Sequence, residues 1–95
     1  MRDRTLIEIA CEFRKGMLGG RPPTMMCFAI SAPLQGYLSC LGLETELIKG
    51  ELHNTEHYWL KLSDGRILDV TADQFVQNLP PIYLGKQPKH YKATP

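Results

Sequence analysis

At Gly42 the apolar spacing of the chain changes, and this change limits the possible folds more than any other feature. Before Gly42 apolar residues recur at three and four positions, the period of a helix face. After it they alternate, the period of a half-buried strand. The chain therefore reads as two helices followed by an antiparallel meander of about three or more strands. Helices stacked on one side of such a sheet make an α+β fold. Ninety-five residues bury roughly 60–68% of the surface that the unfolded chain exposes, enough for one modest core. The span 1–95 is thus expected to be a single domain.

The spacing predicts a first helix from Thr5 to about Lys15, with Leu6, Ile9, Ala10, Phe13 and Met17 on one face. Thr5 and Glu8 stand at capping-box spacing. A Gly/Pro-rich break holds Gly16, Gly19, Gly20, Pro22 and Pro23. A second helix is expected from about Thr24 to Leu41, burying Phe28, Ala32, Leu34, Tyr37, Leu38 and Leu41 and stopping at Gly42. Pro33 should kink it or divide it, with Ser31 capping the second piece. Leu43 to Gly50 alternate as a strand. Glu51 to Glu56 read as a turn or wide hairpin, and His57 opens a strand running to Leu62. Asp64-Gly65 marks a hairpin into Ile67–Val70. Leu60 then falls opposite Ile67, or nearly so, with His57 and Asp69 as neighbours across the pair. From Leu79 no period remains, and residues 79–95 are expected to wrap the core as an extended segment, frayed at the end.

Composition removes several classes of function. Lys plus Arg is 11 and Asp plus Glu is 10, with the signs interspersed, so the clustered basic face of a nucleic-acid binder is missing from the pattern. The longest uncharged run, Pro22 to Leu43, contains Pro33, Gln35, Gly36 and Gly42 and makes a poor membrane span. The charged start Met1-Arg2-Asp3-Arg4 leads into no signal-peptide core, so the chain reads as cytoplasmic. Its three cysteines (Cys11, Cys27 and Cys40) are odd in number and widely spaced, which suits neither a disulfide framework nor a structural zinc site.

Three residues together suggest chemistry. Cys27 falls near the start of the second helix, where free N–H groups and the helix dipole favour a thiolate and an oxyanion. His57 sits on a rigid strand, as a base must, and Asp69 follows on the next strand to accept the His57 Nδ1–H and hold its tautomer. Each has a plain alternative when taken alone: a packed structural thiol for Cys27, a strand-end histidine for His57, a turn acid for Asp69. His53 and His57 have a spacing that ligates metal on a helix, and with Cys27 and Asp69 a zinc site is conceivable. The β-rich flanks argue against that helix and leave His53 exposed in the turn.

The run Cys27 to Gly42, the segment His57-Tyr58-Trp59-Leu60 and the segment Leu68 to Phe75 resemble the core of the transglutaminase-like superfamily, within the broader group of papain-like thiol enzymes. The resemblance covers about residues 24–75. Cys27, His57 and Asp69 match its triad, and Trp59 and Thr71 match the flanking positions. It implies a sheet packed on the Cys-bearing helix, with Cys27 attacking a peptide-type amide, His57 as base then acid, and Asp69 orienting His57. It implies no metal and no cofactor, and a peptide or protein as substrate. Met26, beside Met25, and with it Trp59 and Gln74, would line the cleft; Gln74 and Phe75 would also close the core. Residues 1–26 hold no Gln, Asn or Trp to complete an oxyanion hole, which would then rest on backbone N–H groups including that of Cys27, or on Thr24 or Arg21. A chain this short lacks the lobes of larger relatives. It either acts on an exposed peptide segment, works with a protein partner or as a homo-oligomer, or keeps the fold without the activity as a binding or regulatory module.

Overall fold

A computed structural model describes residues 1–20, 26–74 and 81–94, apart from the Gln74 side chain. The first apolar period folds as helix α1, Asp3–Leu18, longer at both ends than expected. No side chain caps it. Thr5 lies inside the helix and Glu8 pairs with Arg4 at 3.3 Å, so the capping box does not form. Asp3, in the first turn, meets the positive end of the helix dipole instead. The other end closes through left-handed Gly19 (φ 56°), whose N–H bonds the Lys15 carbonyl at 3.0 Å.

Helix α2 is Cys27–Cys40, so it begins at Cys27 rather than near Thr24, which lies outside the described residues. Pro33 sits inside it and does not divide it. Ser31 is buried in mid-helix and caps nothing. The buried stripe is Cys27, Ile30, Ser31, Leu34 and Leu38. Phe28, Tyr37 and Leu41, expected inside, are 52%, 47% and 47% exposed. This helix is apolar almost all round, so its own sequence offers no unique inner face, and packing on α1 and the sheet selects one.

The strands are β1 (Thr45–Leu52), β2 (Thr55–Leu62), β3 (Ile67–Asp69), β4 (Tyr83–Gly85) and β5 (Tyr91–Ala93). They form one sheet in the order β4-β3-β2-β1-β5, antiparallel throughout. The stretch Glu51 to Glu56 is mostly strand. Only His53 (φ 52°) and Asn54 (φ 63°) turn, both left-handed as a tight two-residue hairpin requires, and Leu52 pairs with Thr55. His57 is therefore the third residue of β2 and not its first. The second hairpin takes in Ser63 as well as Asp64 and left-handed Gly65, closed by the Leu62 N–H to Arg66 carbonyl bond of 2.8 Å. This three-residue loop pairs Leu62 with Arg66 and so sets Leu60 against Leu68, one residue from the expected Ile67.

The tail does more than wrap. Its residues form both sheet edges, β4 on β3 and β5 on β1. Leu60, Leu62, Leu68 and Val70 pack under the helices against Leu6, Ala10, Ile30, Leu34 and Leu38. On the opposite face Trp59, Leu52, Ile67 and Tyr91 form a second apolar cluster. Arg14 of α1 ties the segment after β3 to the helix layer: it chelates Asp73 at 2.7 and 2.8 Å and donates to the carbonyls of Val70 and Pro81. No helix among the described residues is long and apolar enough to cross a membrane.

Candidate active site

Cys27 is the first residue of α2. Its own N–H therefore has no intrahelical acceptor. The backbone N–H groups of Phe28 and Tyr58 and the His57 imidazole of β2 lie close enough to its sulfur to favour the thiolate. His57 and Asp69 are both fully buried, and His57 Nε2 lies 2.8 Å from Asp69 Oδ2. The fold thus brings together all three residues singled out in the sequence, from a helix start and two neighbouring strands.

Register decides this meeting. With Leu60 level with Leu68, one further step sets Asp69 level with Trp59 and makes His57 its diagonal neighbour on the same face. A slip of one residue would send Asp69 to the other face of the sheet. The diagonal also corrects the tautomer. The distant Asp69 is reached by the outer ring nitrogen, Nε2, and not by Nδ1 as expected. Nδ1 is the ring nitrogen that Asp69 does not engage.

The electrostatics follow from these contacts. Burial alone opposes a charged imidazole, but the hydrogen bonds and charges of Asp69 and Cys27 outweigh it and push His57 up to about 9. Burial likewise opposes the Cys27 thiolate. The His57 hydrogen bond and the Tyr58 and Phe28 N–H groups prevail and hold the thiol below its ordinary value. Both shifts act in the direction of a thiolate–imidazolium pair. Asp69 is itself held by donors on both oxygens. Oδ1 accepts from the Thr71 N–H (2.9 Å) and hydroxyl (3.4 Å), and Oδ2 accepts from the Tyr91 hydroxyl (2.7 Å) as well as from His57.

The expected lining residues fare differently. Met26 is half-buried and packs on the helix–sheet core. Trp59 is fully buried in the second cluster, 5.2 Å from the Tyr91 ring, and is a core residue rather than a cleft wall. Its strand position, on the His57 face opposite the helices, turns it inward under β5. The Gln74 side chain, Phe75, Met25, Thr24 and Arg21 lie outside the described residues. His53 is exposed in its turn and stacks on His90 at 5.2 Å, and no group of three metal-ligating side chains occurs among the described residues. Phe28 and Tyr58, which follow Cys27 and His57, meet edge to face at 4.9 Å. Tyr91 is the site residue that sequence reasoning missed. A tyrosine in an aperiodic tail carries no local signal, because its place comes from β5 pairing with β1. Set against models of protein families, curated proteins and solved structures, the chain matches none.

Proposed function

We propose that this chain is a thiol acyl-transfer enzyme acting on peptide-type amides, with a Cys27–His57–Asp69 triad on a papain-like, transglutaminase-like core. One observation carries the reading: a buried His57–Asp69 contact of 2.8 Å whose imidazole neighbours a cysteine at a helix start, near enough for each to shift the other's titration. The Cys-His-Asp chain order and the resemblance over 24–75 support it.

In this mechanism the Cys27 thiolate attacks the amide carbonyl carbon. A C–S bond forms, and the carbonyl π electrons move to oxygen, where the Cys27 N–H at the head of α2 stabilises the negative charge. The oxyanion collapses and the C–N bond breaks. His57 gives its Nδ1 proton to the leaving amine, producing a thioester and neutral imidazole. Water or a second amine then attacks the thioester carbonyl while His57 Nδ1 takes the nucleophile's proton. The sulfur leaves as thiolate, and the imidazolium–thiolate pair is restored. Asp69, bonded to Nε2, keeps the ring oriented and stabilises its charge in both halves.

A second reading, a weak or inactive fold serving as a binding or regulatory module, draws on burial: Cys27 is 7% exposed and His57 not at all. Iodoacetamide labelling at pH 7 separates the two, read peptide by peptide against exposed Cys40. The enzyme reading expects Cys27 to label about tenfold faster than Cys40, with the advantage lost in His57→Ala, because thiolate is the reacting species. It also expects Cys27→Ala to abolish peptide hydrolysis with an unchanged circular dichroism spectrum. Labelling of Cys27 only in denaturant would overturn it in favour of the module.

A further inference from the structure

We infer that Tyr91 is a positioning residue of the site, supplied by the C-terminal tail: its hydroxyl fixes the Asp69 carboxylate in the orientation that engages His57. The inference rests on the triad reading above and adds a member that no triad pattern contains. The Tyr91 hydroxyl donates to Asp69 Oδ2 at 2.7 Å, the same oxygen that accepts from His57 Nε2 at 2.8 Å. Thr71 restrains only Oδ1. Without Tyr91 the carboxylate is pinned along one edge and keeps a swing about its Cβ–Cγ bond, which carries Oδ2 away from His57.

The tyrosine is well held for this task. It is 3% exposed, its ring stands edge-on to Trp59 at 5.2 Å and stacks with Tyr83 at 6.5 Å, and its carbonyl accepts from Gln87 Nε2 at 2.8 Å. It also opens β5, which pairs with β1 beside Gly50, the residue opposite His57. Burial, followed by the Asp69 charge, pushes the phenol well above its ordinary value, so it stays a donor. The titratable groups facing the His57–Asp69 contact are Cys27 from α2 and Tyr91 from β5, with Tyr83 of β4 behind. The segment between β4 and β5 joins the two edges of the sheet, and the Tyr91 contact with Asp69 forms when β5 docks on β1.

The test is the pH profile of Cys27 alkylation, which reads the thiolate–imidazolium pair without requiring turnover. In Tyr91→Phe the loosened Asp69 stabilises the imidazolium less, and Cys27 ionises at higher pH. The acid limb is expected to move up by about one pH unit, slowing alkylation on that limb about tenfold, as losing one hydrogen bond to a charged group implies. Tyr83→Phe removes a tail hydroxyl that does not touch Asp69 and is expected to leave the limb in place. A limb unmoved or lowered in Tyr91→Phe, while Asp69→Asn raises it, overturns the role of Tyr91 and leaves the triad standing. An equal shift in Tyr83→Phe also overturns it, assigning the effect to tail packing. A limb unmoved by Asp69→Asn removes the triad and this inference with it. If Tyr91→Phe does not fold, proton NMR of the native chain decides. A slowly exchanging Tyr91 hydroxyl proton that shifts in Asp69→Asn supports the contact, and its absence refutes it.

Discussion

Asp69 carries the energetic risk of the site. An ionised carboxylate removed from water is costly unless its lone pairs are met, and here both oxygens are met, by Thr71, His57 and Tyr91. Part of the return is the raised affinity of His57 for its proton, which has a predictable pH signature. A group whose folded pKa lies above its unfolded value stabilises the fold fully below the unfolded value, and the contribution fades as pH climbs through the folded one. For His57 that window runs from 6.5 toward about 9. Cys27 works in the opposite sense, because its lowered value adds stability at the alkaline side, so the measurement belongs in a Cys27→Ala background. There His57 keeps the push of Asp69 and loses that of Cys27, so the upper end of the window falls below about 9, and urea unfolding is expected to show the advantage of Asp69 over Asp69→Asn largest at pH 6 and diminished by pH 9.5. A difference flat across that range would mean that His57 protonation is not coupled to folding.

At the scale of the element, α2 is built against its own propensity. Pro33 stands seven residues into an unbroken helix, where it has no N–H to give and its ring crowds the preceding turn. The helix persists because Ile30, Leu34 and Leu38, around the proline, are fully buried, and tertiary burial outweighs a local defect. Pro33→Ala is therefore expected to stabilise the protein by about 2 kcal/mol, the helix-interior cost of about 3 kcal/mol less up to about 1 kcal/mol of unfolded-chain entropy. The urea midpoint should rise at constant slope. A fall would mean that the proline, and not the stripe beside it, sets the path of α2. The hairpins obey local rules more closely: His53-Asn54 and Ser63-Asp64-Gly65 each hold the left-handed residues that their loop lengths demand.

Over the whole molecule, the two sheet edges come from residues far along the chain, and the fit of β5 depends on Gly50. A Cβ there would run into the Lys92 carbonyl of β5 and the outer ring of Trp59. Gly50→Ala must push β5 off β1 or turn Trp59 out of the second cluster, and either move withdraws Tyr91. The expected cost is about 1–3 kcal/mol, the range for overpacking, with faster amide exchange in β5. Amide exchange unchanged from the wild type would show that the edge does not need the glycine. An uncovered β1 edge would also present unpaired backbone groups to other chains.

Much of this molecule was legible as pattern. The change of period at Gly42 announces helices before strands, Asp64-Gly65 announces a hairpin, and the chemistry of Cys27, His57 and Asp69 singles them out as residues to look for together, because periodicity, turn preference and residue chemistry are local properties. What stayed hidden is what depends on partners distant along the chain. The inner face of α2, the single residue of register that brings Asp69 to His57, the burial of Trp59 and the arrival of Tyr91 each depend on which surfaces meet. Those meetings are settled by the burial of apolar area over the assembled sheet, a quantity that no window of sequence contains.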